Sequence, residues 1–272
     1  MKRYFIVKTI FVIIFFLGCV SKIPSPQQRT ARLLKKISEK NYSYAIYKNK
    51  DFDIFGVYNQ KKCNDTMRIY IEGDGLAWIT ANRVSSNPTP LNPIAFKLFM
   101  LDENCAIYLA RPCQYFSHRQ CFQKYWTSAR FSRKIIQNYM QTLDKIKKDF
   151  KIKKFYLIGY SGGGAIAAIL AAKRDDVKKL ITVAGNLNIK LWWEIHRITP
   201  LKNSLNPIDY ANNLKKISQI HIVGSNDSVI PEKIIDTFIL RVNSSKIKKI
   251  VLPNATHTNG WVSFWKDFNK RF

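Results

Sequence analysis

The sequence predicts an α/β protein: a mainly parallel, eight-stranded sheet with helices on both faces. Three observations predict it. Short apolar runs of strand length alternate along the chain with helical patterns. Most of these runs are apolar at consecutive positions, as strands covered on both faces must be. The 272 residues, 46% hydrophobic, suffice to close one sizeable core. No period repeats, and the 11 Gly and 10 Pro punctuate the chain without gathering into a linker, so one domain is expected.

The amino terminus stands apart. Lys2 and Arg3 precede an apolar run from Thr9 to Leu17, closed by Gly18-Cys19, which reads as a signal peptide over residues 1–18. The run falls well short of the roughly 20 apolar residues that span a bilayer. Phe16-Leu17-Gly18-Cys19 resembles the lipobox of bacterial lipoproteins, with Phe16 where Leu is usual and Leu17 where a smaller residue is usual. The resemblance implies that Cys19 becomes the mature amino terminus and carries diacylglycerol on its sulfur. It also implies a place in the bacterial cell envelope. Val20 is not the aspartate that retains such proteins at the inner membrane, which points to the periplasmic face of the outer membrane. Residues 19–41 are then the lipidated cysteine and a tether, flexible over Val20 to Arg29 with Pro24 and Pro26.

Residues 42–272 are expected to form the globular domain. Tyr42–Tyr47 and Phe52–Tyr58 alternate around Lys48-Asn49-Lys50-Asp51 and read as a β-hairpin. Six buried strands follow: Met67–Ile71, Ala106–Leu109, Phe155–Ile158, Leu180–Val183, Ile220–Val223 and Ile247–Leu252. Helical spacing marks Phe131–Phe150, through Ile135, Ile136, Tyr139, Leu143 and Ile146, and the small-residue stretch Ala165–Lys173. Residues 187–213, with Trp192, Trp193 and two prolines, break the alternation and are expected to form a small cap; a core-packing helix is the alternative. In an exported protein the four remaining cysteines should pair. Cys63 and Cys105 each precede a strand, and Cys113 and Cys121 flank one loop, so 63–105 and 113–121 is the local solution of the three connectivities. Without export, four reduced thiols are expected.

The chemistry is concentrated at Gly159-Tyr160-Ser161-Gly162-Gly163, a Gly-x-Ser-x-Gly between a buried strand and a helix of small residues. Such a strand-turn-helix elbow exposes a strained serine, and the N–H of Gly162, at the helix start, can face a developing oxyanion. A serine hydroxyl needs a base. Of the four histidines, His221 lies inside a strand, His196 in the expected cap and His118 between Cys113 and Cys121. His257 sits in a polar loop after the last strand, where the chain returns above the carboxyl end of the sheet. The orienting acid should follow the preceding strand, where Asp227 stands.

The chain order Ser161, Asp227, His257, on a hairpin followed by alternating strands, resembles the α/β-hydrolases over residues 42–272. In that superfamily a turn after the third strand, often beginning His-Gly, gives a second oxyanion donor. The matching turn here is Glu72-Gly73-Asp74-Gly75, which implies the main-chain N–H of Asp74, with Glu72 in place of histidine. Ala110-Arg111-Pro112-Cys113-Gln114-Tyr115 and Tyr125-Trp126-Thr127-Ser128-Ala129-Arg130-Phe131 further resemble uncharacterised bacterial lipoprotein serine hydrolases.

The expected activity is hydrolysis of a small-molecule or lipid acyl ester or thioester through an acyl-enzyme, which needs no metal or organic cofactor. An acyltransferase or peptidase would use the same triad. A different class is a non-catalytic cationic lipoprotein that binds an anionic envelope polymer, because the formal net charge is +27. The lysines are scattered and no RNA- or DNA-binding motif accompanies them, so no nucleic-acid partner is expected.

Overall fold

The computed structural model describes residues 23–272. Eight strands form one sheet: β1 (Ser43–Tyr47), β2 (Ile54–Tyr58), β3 (Thr66–Ile71), β4 (Ala106–Leu109), β5 (Lys154–Tyr160), β6 (Val177–Val183), β7 (Ser218–Gly224) and β8 (Ile247–Leu252). Their spatial order is β1-β2-β4-β3-β5-β6-β7-β8. The hairpin β1-β2 and its contact with β4 are antiparallel, and every later pairing is parallel. The expected strands are all present; the two hairpin strands start one and two residues later than expected, and several of the others are lengthened by a residue or more at their ends.

Side chains alternate across this sheet into two apolar layers. Met67, Ile69, Ile71, Phe155 and Leu157 face one layer, closed by α3 (Arg133–Asp149), α4 (Gly162–Lys173) and α7 (Glu232–Val242). Tyr70, Tyr108, Ile158 and Tyr160 face the other, closed by α1 (Pro26–Glu39), α2 (Ile94–Phe99) and α8 (Trp261–Phe268). The intervening α5 (Ile189–Ile195) and α6 (Ala211–Leu214) lie in the segment between β6 and β7. Helix α4 is buried all round from Gly162 to Ala171. Its glycines and alanines let it sit close under the sheet, so the turn that leads into it has little freedom.

The tether expected through residue 41 is corrected. Of its described residues, Pro26–Glu39 are helix α1. Ser25 caps it by accepting from the Gln28 N–H while the Gln28 side chain accepts from the Ser25 N–H, and Pro26 takes the first helical position, where its missing N–H costs nothing. Leu33 and Ile37, four residues apart, are buried in the second layer. Cys19 and the expected signal peptide lie outside the described residues, and no described helix is long and apolar enough to cross a membrane.

Cys63 is joined to Cys105 and Cys113 to Cys121, with Cα separations of 5.0 and 5.6 Å. The first pair ties the starts of two parallel neighbours, β3 and β4, which the register holds side by side.

Because Leu33 is only 2% exposed, Leu33→Ala should destabilise the fold by about 2–5 kcal/mol. Denaturant unfolding of the two proteins measures it, and a change near zero would restore the detached tether.

Candidate active site

Strand β5 ends at Tyr160 and α4 begins at Gly162, leaving Ser161 alone at the corner with φ 51° and ψ −119°. This left-handed φ costs a non-glycine residue about 1–2 kcal/mol and persists only where the surroundings enforce it. They do so by proximity. A Cβ on Gly159 would lie 2.3 Å from the Gly163 carbonyl oxygen, and one on Gly163 would lie 2.2 Å from that of Ile71. Both flanking glycines are therefore fixed by contact between β5, α4 and the end of β3.

The structure brings Ser161, His257 and Asp227 together from three separate turns. The Ser161 Oγ lies 3.0 Å from His257 Nε2, and His257 Nδ1 lies 2.9 Å from Asp227 Oδ2. The other Asp227 oxygen accepts from the N–H groups of Val229 and Ile230, both at 2.9 Å. That carboxylate, almost wholly buried, thus accepts from two amides and faces one imidazole. The His257 carbonyl accepts from the Tyr160 hydroxyl at 2.7 Å and from Trp261 Nε1 at 2.8 Å. Neither of these anchoring side chains was recognised from the sequence. Tyr160 was legible only as the variable position of the serine motif.

The other histidines go elsewhere. His221 is buried with Nδ1 2.8 Å from Thr182 Oγ1, and burial pulls its pKa down to about 3, so it is a neutral core residue. His196 meets the Val229 carbonyl at 2.9 Å, and His118 stays in the loop closed by Cys113 and Cys121.

The turn Glu72-Gly73-Asp74-Gly75 packs against the elbow, and a Cβ on Gly73 would touch that of Ser161 at 3.4 Å. Among the described residues, the N–H groups of Asp74 and Gly162 have no acceptor in the protein. The Asp74 side chain, to which the sequence assigned no role, holds the turn in place. Arg111 donates to its Oδ1 at 2.7 Å and Arg130 to its Oδ2 at 2.6 Å. Burial pushes the Asp74 carboxyl up, but Arg130 and Arg111 outweigh it and hold its pKa below the usual range. Gln114 fixes the same turn through its Nε2, 3.0 Å from the Gly73 carbonyl. Arg111, Gln114 and Arg130 all fall in the segments that carry the narrower resemblance; what the sequence did not reveal is that they converge on Asp74.

Above Ser161 lies a cavity of about 1100 Å³. Part of its lining, Trp78, Ala81 and Asn82, comes from a two-stranded ribbon, Trp78–Thr80 with Arg83–Val84, which has no clear period in the sequence. Trp192, Arg197, Ile198 and Leu201, from residues 187–213, line the same cavity. Trp192 Nε1 donates to the Val229 carbonyl at 2.8 Å, tying that segment to the loop of Asp227. Leu187, Ile189 and Ala211 of the same segment are buried in the core, so it both walls the cavity and packs inward.

A family model described as the alpha/beta hydrolase fold matches residues 136–203. An alpha-beta serine hydrolase homologue from Coxiella burnetii superposes with a TM-score of 0.61 at 14% identity, over 84% of this chain and 96% of that one. The esterase Pf2001 from Pyrococcus furiosus gives 0.62 at 13%, over 86% and 91%. Est1E from Butyrivibrio proteoclasticus gives 0.58 at 15%, over 85% and 96%. No curated protein sequence matches. At these identities the likeness is one of architecture, and the chain has the α/β-hydrolase fold.

Glu72, standing where that fold often has histidine, generates a pH effect. It is 1% exposed, and its carboxylate accepts from the N–H groups of Gly73, Ala95 and Phe96. Burial raises its pKa from 4.5 to about 7 although those three bonds oppose the rise. Between these two values the folded chain holds the proton more tightly than the unfolded chain, so this group's contribution to stability falls as pH rises. At about 1.4 kcal/mol per pKa unit the loss above pH 7 is on the order of 3 kcal/mol. Thermal midpoints of the native protein and Glu72→Gln, followed from pH 5 to 8, should show the native protein losing ground to the variant as pH increases. Parallel curves would mean that Glu72 does not titrate on unfolding.

Proposed function

We propose that this protein is a serine hydrolase that cleaves an acyl ester or thioester, with Ser161 as nucleophile, His257 as base and Asp227 as the orienting acid. The observation that carries the reading is the unbroken hydrogen-bonded line from Ser161 Oγ through His257 to the buried Asp227, with Ser161 and His257 lining an open cavity. Solved esterases that share the fold support an ester as substrate.

His257 Nε2 takes the Ser161 proton as Oγ bonds to the substrate carbonyl carbon, and the carbonyl π pair moves onto oxygen. That oxyanion faces the free N–H groups of Gly162 and Asp74. The protonated His257 then gives its proton to the departing oxygen or sulfur as the bond to carbon breaks. Water attacks the acyl-enzyme by the same relay, and Ser161 is regenerated. Asp227, already accepting two amide bonds, keeps Nδ1 protonated and Nε2 basic. A carboxylate beside an oxyanion would work against it. Here Asp74 is sandwiched by Arg111 and Arg130, so the cluster carries a net positive charge.

A fluorophosphonate should label native protein by forming an Oγ–P bond at Ser161 with loss of fluoride. Ser161→Ala should take no label and lose at least about 10³-fold in kcat on an aryl ester, with an unchanged circular-dichroism melt. Turnover within about tenfold of native would remove Ser161 from this role.

We further infer that Cys19 anchors the enzyme to the cell envelope by its diacylglycerol. The ordered cationic start, apolar run and Gly18-Cys19 support this, and so do the two joined cysteine pairs, which suit an oxidising compartment. In cells fed a clickable fatty acid, native protein should carry label and Cys19→Ser should carry none. Equal labelling of both would defeat the anchor.

A further inference from the structure

Helix α5 ends in a way that its sequence makes costly. The Arg197 N–H donates to the Glu194 carbonyl at 3.2 Å and the Ile198 N–H to that of Trp193 at 3.1 Å. Together these bonds make the paired closure of a Schellman motif, with His196 as the last half-helical residue and Arg197 at the position after it. That position requires left-handed backbone, is usually glycine, and here has φ 50°. An arginine there forgoes about 1–2 kcal/mol that glycine would not. A cation near a helix carboxyl end gains only about 0.3–1 kcal/mol, and any exposed residue of the last turn could supply it without the backbone cost.

What the arginine gains instead is its location. Arg197 lines the cavity over Ser161, and among the described residues no carboxylate pairs with it. Arg130 lines the same cavity, shared with Arg111 across Asp74. The two acids lining the cavity oppose this charge weakly: Asp74 is held between those two arginines, and burial keeps much of Glu72 protonated near neutral pH. A guanidinium without a partner, presented into a net-positive cavity, is suited to an anion with two or more acceptor oxygens.

We propose that the substrate carries an anionic group, a carboxylate or a phosphate, and that Arg197 holds it at the rim of the cavity while Ser161 attacks the acyl carbon. The proposal rests on Ser161 being the nucleophile and adds what the substrate must look like. A plain alkyl ester would fit the apolar walls but leave Arg197 without a role.

Three fluorophosphonates of equal chain length, ending in methyl, carboxylate or phosphate, provide the test. Rates of Ser161 labelling are read as anionic-to-methyl ratios, which cancel the intrinsic reactivity of the serine. Native protein should label at least one anionic probe about tenfold faster than the methyl probe, and whichever it is identifies the acid. Arg197→Gly should bring the ratio close to one. It should also melt at or above the native temperature, because glycine relieves the left-handed position, so a lost ratio cannot be ascribed to unfolding. Lys62→Gln, an exposed charge outside the cavity, should leave the ratio as it was and so excludes the overall positive field as the cause. A native ratio of one for both acids, or a ratio that survives Arg197→Gly, would overturn the proposal while leaving the hydrolase reading intact. No labelling of Ser161 by any of the three probes would instead defeat the hydrolase reading and this inference with it.

Discussion

The contact between the Gly163 position and the Ile71 carbonyl governs the rest of the site. With no room for a side chain at Gly159 or Gly163, α4 can begin directly under the end of β3, and the chain can turn from strand to helix only through a left-handed residue at 161. Every other group is placed relative to that corner. The turn from Glu72 to Gly75 leaves the same strand end and so arrives beside the serine. The loops after β7 and β8 rise from the same sheet edge and bring Asp227 and His257 to it. Apolar packing of α4 on all sides supplies the stability that makes one strained residue tolerable, since about 1–2 kcal/mol is small beside a core of this size.

Much of this could be read from the amino-acid order because the signals are local. A strand buried on both faces announces itself by consecutive apolar residues, and Gly-x-Ser-x-Gly announces a corner by the glycines its crowding requires. Position within the strand sequence then separates His257 from the buried His221. Residues 25–28 are legible too: Ser25, Pro26 and Gln28 spell a helix start, although Pro24 and Pro26 taken alone suggest a tether. Pro at the first helical position opens a helix as readily as Pro elsewhere breaks one.

The illegible part is made of long-range meetings. Arg111 and Arg130 reach Asp74 across 37 and 56 residues of sequence, and nothing near any of the three signals the others. Glu72 is similar: its near-neutral carboxyl follows from complete burial and from the amides at the start of α2, more than twenty residues on. The ribbon at 78–84 is too short to show a period. Such features come from where the fold puts side chains, and the sequence holds them only in its three-dimensional form.

The double hold on the His257 carbonyl, by Tyr160 and Trp261, has a mechanical meaning. Tyr160 is the residue immediately before Ser161, so the imidazole's backbone is pinned to the same rigid strand that carries the hydroxyl it serves. When β5 shifts, both partners shift together, and the error in their separation is the difference of two correlated motions instead of the sum of two independent ones. The loop that delivers the histidine can then drift in sequence and in length, because its registration is read from the neighbouring strand and not from its own path.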